Sequence, residues 1–404
     1  MSMIDSVVIA GAGQAGAWVA RTLRSEGYAG RIVMCGAEAE PPYERPPLSK
    51  EQLVPGAPGM TYLIGAEEFP ELSVDWRAAT SIEKIDRASR RVALSSGRWL
   101  DYGALVIATG GRAHLPPIPG FDLGCVFTLR SLGDARRLRS RLLPGSRVLV
   151  VGGGWIGLEV AATAVQAGAV VTLAEMGPSL CARSGSPALS SYLYELHASK
   201  GVNLRLNTRV VQLLGNGQDG CIAEFHDGSK HEADVVVLGA GMRPNSEIAL
   251  EADLDCDGGV VVDAAGRTSD PAIYAAGDVA VLRTSDGRKL RLESWQNAQD
   301  QGIGVAQSLL GKPVQYDPVP FFWSSQYDAL IQMAGNPRDA TQSLVRGVGR
   351  QRTHIGLDSS GRVVFGMCIN APRDIRMVRR SISDTSSDRW QPMDGFVADG
   401  SLTS

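Results

Sequence analysis

Val7-Val8-Ile9-Ala10-Gly11-Ala12-Gly13-Gln14-Ala15-Gly16 decides the fold together with its counterpart 141 residues later, Val148-Leu149-Val150-Val151-Gly152-Gly153-Gly154-Trp155-Ile156-Gly157. In each, a short unbroken apolar run reads as a buried parallel strand. A glycine turn follows, then a helical pattern that stops at Gly27 or Gly168. Strand, G-x-G-x-x-G and helix together make a dinucleotide fingerprint. Its first glycine makes the tight turn, the second lets the backbone approach a pyrophosphate, and the third lets helix pack on strand. One such turn is a weak signal, but two copies in the same context define an α/β chain that holds two dinucleotides.

The residues downstream refine this. Glu175 closes the strand Val170 to Ala174, 18 residues past Gly157, where a carboxylate accepts adenosine ribose hydroxyls and repels a 2′-phosphate. That predicts NADH over NADPH. Arg183, eight residues on, is the counter-indication, since a guanidinium folded back would suit a 2′-phosphate. After the first fingerprint, Glu38 stands 22 residues beyond Gly16, behind Ala37. It reads equally as a ribose ligand or as a solvated loop carboxylate. Three further strands end in turns: Leu105 to Ala108 before Thr109-Gly110-Gly111, Val235 to Leu238 before Gly239-Ala240-Gly241, and Ile273 to Ala276 before Gly277-Asp278. Ligands of doubly wound sheets sit beyond such strand ends. After about Tyr316 the pattern changes to β-rich runs, Ser343 to Val348 and Val363 to Gly366. The expected organisation is two Rossmann-like domains, the first discontinuous (1–112 and 241–316, then 113–240), and a smaller C-terminal α+β domain at 317–404.

Composition excludes several classes. A net charge of −3 over 404 residues and a pI near 6.0 argue against nucleic acid as a partner, because phosphate neutralisation needs a basic surface. No run is long enough to span a membrane. The start of the chain lacks the basic and apolar regions of a signal peptide. Six cysteines (Cys35, Cys125, Cys181, Cys221, Cys256 and Cys368) and five histidines are dispersed, without metal-site spacing. Reduced thiols in a cytoplasm, and no metal, are expected. The stretch from about Asp384 to Ser404 is polar and weakly periodic, and a loosely ordered tail is expected there.

With Arg45-Pro46-Pro47-Leu48-Ser49-Lys50, Ala108-Thr109-Gly110, Gly239 through Asn245 and Ala276-Gly277-Asp278 in this order beside the two fingerprints, the chain resembles the FAD-dependent, NADH-dependent ferredoxin reductases of oxygenase systems. The resemblance covers nearly everything but the last ~20 residues. It implies a glutathione-reductase-like fold, FAD on the first fingerprint and NADH on the second. It further implies hydride transfer from NADH to FAD, then single-electron delivery to a small [2Fe-2S] ferredoxin serving a cytochrome P450 or Rieske-type oxygenase. Carried over residue by residue, Gly11, Gly13, Ala15 and Gly16 cradle the FAD pyrophosphate, and Asp278, beside Gly277, meets the ribityl chain. Arg45, Ile82, Thr109, Gly110, Arg130 and Trp295 match further FAD positions. Gly152, Gly154, Trp155, Ile156, Gly157, Glu159, Glu175, Arg183 and Gly241 fall on the NADH side. Lys50 and Glu159 pair beside the flavin N5, where a cation favours the reduced flavin. Where several relatives carry a ribose-binding aspartate, this chain has Ala37, and the neighbouring Glu38 is the candidate for that role, with the solvated loop carboxylate as the equal alternative.

Other readings stand beside these. Ser49 with Gln52 resembles a capping box, which would make Lys50 the first exposed residue of a helix, and Glu159 would simply complement a helix N-terminus. The tryptophans, Trp323 included, read also as aromatic packing. A disulfide reductase shares the architecture but carries two cysteines shortly before the proline-serine-lysine motif, and Tyr43 to Lys50 has none. A non-enzymatic alternative is an NADH-responsive interaction module of the apoptosis-inducing-factor type. Residues 317–380 hold nine arginines against five aspartates, with no lysine or glutamate. Such a surface suits an acidic ferredoxin docked near Trp323 and the C-terminal arginines, Arg373, Arg376, Arg379 and Arg380, or these four mark an ordinary solvated helix face.

Overall fold

Val7 and Ile9 point to one face of their strand and Val8 and Ala10 to the other, and all four are buried. A strand apolar on both faces needs cover on both sides, so it sits inside a parallel sheet. The computed structural model describes residues 4–217, 219–284, 287–384 and 395–399. It divides into two compact units, one formed by Met1–Glu44, Gly59–Arg112 and Arg243–Pro318, the other by Arg45–Pro58, Ala113–Met242 and Val319–Ser404.

The first unit is built on a five-stranded sheet in the order Ile273–Ala275, Ala104–Ile107, Ser6–Ala10, Arg31–Cys35, Val74–Arg77. Every neighbouring pair is parallel. Val7 and Ile9 pack with Ala17, Ala20 and Leu23 of the helix Gln14–Ser25, while Val8 and Ala10 pack with Leu105, Val260 and Val262. The fingerprint helix ends where the sequence indicates. Gly27 takes φ +85°, and the Tyr28 N–H returns to the Leu23 carbonyl at 2.9 Å, the Schellman closure that glycine permits. A second helix, Trp295–Leu309, crosses the first so closely that a Cβ on Gly302 would lie 2.6 Å from the Ala15 carbonyl oxygen.

The second unit repeats the plan. Its parallel sheet runs Asn203–Arg205, Val170–Ala174, Arg147–Val151, Val235–Leu238, Val126–Phe127. The helix Trp155–Gln166 follows the second fingerprint and closes at Gly168, again at φ +85°. The same unit contains a six-stranded sheet ordered Phe321–Gln326, Ala329–Gly335, Val363–Ile369, Gln351–Leu357, Gln342–Val348, Val397–Ala398, antiparallel throughout. The helix Pro372–Ser383 packs on it through Ile375 and Val378, which join a core with Ile355, Leu357 and Val363.

One expectation is corrected here. Part of the polar tail is ordered: Val397 and Ala398 pair with Val345 and Leu344, and Asp399 accepts from the buried His354 at 2.9 Å. Strand pairing is a property of the partner edge, and it leaves no mark in a polar stretch. Residues 385–394 and 400–404 of that tail lie outside the described residues. Among the described residues, no helix is long and apolar enough to cross a membrane.

Candidate functional site

The two glycine turns have the same geometry. Gly11 has φ +119°, and a Cβ there would stand 2.1 Å from the Ala108 carbonyl oxygen. Gly152 has φ +110°, and its Cβ would meet the Gly239 oxygen at 2.6 Å. At Gly16 and Gly157 a Cβ would fall 2.1 Å from the carbonyl oxygen of the first glycine of its own turn. These positions are glycine because protein backbone crowds them. Gly13 and Gly154 differ, since a Cβ on either meets nothing within 4 Å. Each is the N-cap of its helix, and neither helix has a side-chain cap or an acidic residue in its first turn. Among the described residues, then, these N-termini keep unpaired N–H groups and open space beside the middle glycine, as a bound pyrophosphate requires.

Each turn is flanked by the side chains the sequence singles out. In the first unit the Gly277 N–H donates to the buried Gln301 at 2.8 Å, which fixes the short helical turn Gly277–Val279 bearing Asp278. Thr109 Oγ1 donates to the Asn245 carbonyl at 2.7 Å, and the Asn245 side chain donates back to the Thr109 carbonyl at 3.0 Å. That clasp holds the Thr109-Gly110 turn. Glu38 is half-buried and accepts from the Tyr43 hydroxyl at 2.6 Å, so it is more constrained than a solvated loop carboxylate. With its amide turned so that the oxygen faces them, Gln14 accepts from the indole N–H groups of Trp18 and Trp295, 3.2 Å each. Ile82 is buried in the apolar core with Ile85 and Val92.

In the second unit the Glu175 carboxylate accepts the Gly153 N–H at 2.6 Å and the Gly177 N–H at 2.7 Å. It lies directly over the second fingerprint. Arg183 is exposed, and its guanidinium lies against Gly241, where a Cβ would meet it at 3.2 Å. Arg45 donates to the Arg130 carbonyl. Trp155 opens the fingerprint helix, and its ring is 4.6 Å from that of Phe322, while Ile156 beside it is exposed.

Lys50 and Glu159, far apart in sequence, form an ion pair at 2.7 Å, their side chains only 13% and 5% exposed. The capping-box alternative is overturned. Lys50 lies between two single turns, Pro46–Ser49 and Glu51–Leu53, neither of which has a side-chain cap. The Ser49 hydroxyl donates to Glu159 instead, and Gln52 donates to the Pro58 carbonyl. A capping box is a local pattern, and here the non-local carboxylate is the stronger acceptor. Lys50 Nζ also lies 5.5 Å from the ring centroid of Trp323. Two buried groups that sequence reasoning missed complete this carboxylate's surroundings: Ser324, whose hydroxyl donates to Glu159 at 2.5 Å, and beyond it Gln326. Only their alternation along an edge strand marks them in sequence.

Three of the exposed residues on the C-terminal helix are Arg373, Arg376 and Arg380, while Arg379 lies 4.5 Å over the Phe321 ring. Cys35 is buried at the end of its strand, and burial pushes its thiol up to about 11. It is inert rather than a redox thiol.

Two nucleotide-binding turns on two parallel sheets, with a buried lysine–glutamate pair and no dithiol before it, define an oxidoreductase of the two-dinucleotide flavoprotein class. The chain belongs to the pyridine nucleotide-disulphide oxidoreductase family, whose model matches residues 5–302, and a reductase C-terminal model matches residues 321–394. It is 40% identical over 93% of its length to a ferredoxin–NAD(P)+ reductase of a Sphingomonas species, covering 92% of that protein. It is likewise 40% identical to the ferredoxin–NAD+ reductase component of the anthranilate 1,2-dioxygenase system of Burkholderia cepacia, over 94% of each chain. Among solved structures, it is similar to the putidaredoxin reductase of a covalent reductase–putidaredoxin complex (TM-score 0.90, 35% identity, 94% of this chain and 93% of that one). The ferredoxin reductase for the CYP199A2 system of Rhodopseudomonas palustris is also similar (TM-score 0.88, 36% identity, 92% and 93%). Family membership makes FAD and NAD(P)H the two nucleotides, and the open Gly13 and Gly154 cradles fit their pyrophosphates.

Proposed function

We infer that the protein is a ferredoxin–NAD+ reductase, passing electrons from NADH through FAD to a small [2Fe-2S] ferredoxin that supplies a cytochrome P450 or Rieske-type oxygenase. The observation that carries this reading is full-length similarity, C-terminal sheet included, to reductase components of oxygenase systems. The domain division 1–112 with 241–316, 113–240 and 317–404 accompanies it. Six free cysteines, five of them buried, accord with a cytoplasmic setting.

Bound FAD supplies the hydride acceptance and single-electron release that no side chain provides. The chain's own residues bind and orient. Gly13, Ala15 and Gly16 present backbone N–H groups to the FAD pyrophosphate, whereas Gly11, whose own N–H is spent on the Cys35 carbonyl at 2.9 Å, contributes the tight turn rather than a donor; Glu38, Arg45, Ile82, Thr109, Gly110, Arg130, Gly277, Asp278 and Trp295 are the further contacts. Gly152, Gly154, Trp155, Ile156, Gly157, Arg183 and Gly241 receive NADH. Lys50, held by Glu159, would supply a fixed cation to a bound flavin, and a buried cation favours a developing negative charge. Glu175 accepts the adenosine ribose hydroxyls. Its carboxylate is already aimed at the fingerprint by two backbone N–H groups, so a 2′-phosphate would meet it at close range. Glu175→Arg is expected to lower the NADH-to-NADPH ratio of kcat/KM by at least about tenfold. An unchanged ratio would remove Glu175 from this role.

Ferredoxin-dependent cytochrome c reduction by NADH tests the function itself. Addition of [2Fe-2S] proteins accelerates a ferredoxin reductase, whereas indifference to all of them would favour an NADH-responsive module of the apoptosis-inducing-factor type. Charge reversal at Arg373, Arg376 and Arg380 is expected to slow that coupling about tenfold at low salt and little at high salt, the signature of steering. Equal rates at low salt would leave these arginines as solvated surface.

A further inference from the structure

Glu159 ends a hydrogen-bond chain that runs well beyond Lys50. Its Oε2 takes the Lys50 ammonium at 2.7 Å and the Ser49 hydroxyl, and its Oε1 takes the Ser324 hydroxyl at 2.5 Å. Ser324 Oγ in turn accepts from Gln326 Nε2 at 3.1 Å. Gln326 Oε1 lies 2.8 Å from His197 Nε2, and His197 Nδ1 lies 3.3 Å from the Tyr327 hydroxyl. Ser324 and His197 are fully buried and Gln326 is 1% exposed.

The chemistry of each group leaves one arrangement. An ionised carboxylate only accepts, so Ser324 spends its single proton on Glu159 and has only a lone pair for Gln326. The Gln326 amide must then present its N–H₂ to Ser324 and its oxygen to His197. An amide oxygen only accepts, so His197 Nε2 carries the hydrogen, and in the neutral ring Nδ1 accepts from Tyr327. Every donor points toward Glu159. Were Glu159 protonated on Oε1, its O–H would point toward Ser324 and free the Ser324 proton for a turned Gln326, whose N–H₂ would then face a bare Nε2, with Nδ1–H toward Tyr327. The histidine tautomer is therefore tied to Oε1 of a carboxylate three links away acting as an acceptor.

We propose that Ser324, Gln326 and His197 are positioning residues that hold Glu159 ionised as the partner of Lys50, with the Nε2–H tautomer of His197 as the fixed far end of the chain. This rests on the reading of Lys50 and Glu159 as the pair that serves the flavin. Burial keeps the imidazole neutral by lowering its pKa, against the opposing bond from Gln326. The charged and titratable neighbours do not compete. Glu159 faces Lys50 and the Cys181 thiol, which burial and then the charges of Glu175 and Glu159 hold protonated. His197 faces Tyr327, whose hydroxyl burial also holds protonated, with Lys200 Nζ lying 5.4 Å over the Tyr327 ring.

Imidazole ¹⁵N spectra of the FAD-bound protein test this directly. With five histidines in the chain, the His197 signals are identified by their loss in His197→Asn. The expected spectrum is a neutral Nε2–H tautomer at pH 7. A cationic ring, or the Nδ1–H tautomer, would overturn the proposal. Ser324→Ala removes one oxygen from the chain and is expected to release the tautomer to a mixture. It should also slow NADH-driven flavin reduction by about tenfold, the size of one lost charge-assisted bond. Ser324→Thr, which keeps the hydroxyl, should restore both. If Ser324→Ala keeps the wild-type tautomer and rate, the chain does not hold Glu159. The underlying reading is tested separately: if Lys50→Met and Glu159→Gln leave flavin reduction at the wild-type rate, the pair does not serve the flavin, whatever the tautomer shows.

Discussion

Gly13→Val is expected to yield a folded protein that purifies without flavin, whereas Gly16→Val should fail to fold stably. The two positions are three residues apart in one turn, yet the physics differs. At Gly16 a Cβ would sit 2.1 Å from the Gly11 carbonyl oxygen and 3.1 Å from Ile9 Cγ2, so any side chain forces the fingerprint helix off its strand. At Gly13 the backbone is extended (φ −100°, ψ −162°), a conformation valine favours, and a Cβ there meets no protein atom within 4 Å. The added side chain instead fills the space through which the helix N-terminus reaches a pyrophosphate. Overpacking of ~1–3 kcal/mol translates into a loss of FAD affinity on the order of tenfold to a hundredfold. Flavin absorbance per polypeptide and the circular dichroism spectrum measure the two effects separately. Retention of flavin by Gly13→Val at wild-type affinity would show that FAD does not use this turn. Gly154→Val is the matched control: it should stay yellow and lose reduction by NADH.

The second large effect is expected at the buried ion pair. Glu159→Gln leaves the Lys50 ammonium in a site with 13% of its side chain exposed and no counter-charge, which lowers stability by roughly 3–5 kcal/mol. Lys50→Met strands the carboxylate in the same way. Either change should also slow flavin reduction by NADH by about 10²-fold, the usual loss when one preorganised electrostatic group is removed. The double variant Lys50→Met with Glu159→Leu separates the two roles. Two apolar groups of similar size should recover most of the stability, because a buried pair adds little over a hydrophobic replacement. The rate should not recover. Thermal midpoints and stopped-flow flavin reduction give the two readings, and recovery of both together would reduce the pair to a structural element.

The parts of this protein that were legible in its sequence are those whose cause is local. The fingerprint turns demand glycine within six consecutive residues, and the strand before each turn and the glycine after each helix are equally local demands. Counting from Gly157 reaches Glu175, whose carboxylate meets the Gly153 and Gly177 N–H groups, because strand and helix lengths in such a unit vary little. The Ser49–Gln52 capping box was a local reading that failed, since Ser49 spends its hydroxyl on a carboxylate 110 residues away. The strand at Val397–Ala398 was missed because its pairing depends on the free edge of Gln342–Val348.

The sequence by itself thus determined that there are two nucleotide-binding folds, where their turns lie and which acid follows the second. Backbone sterics and periodicity act over a few residues and leave a direct mark. Only the tertiary structure decided what surrounds the Lys50–Glu159 pair. Ser49, Ser324, Gln326, His197 and Tyr327 come from a short loop, an antiparallel strand and its turn, and a helix, and each alone is an unremarkable polar residue. Their meaning arises from burial in common, where a carboxylate that can only accept imposes the direction of every hydrogen bond behind it.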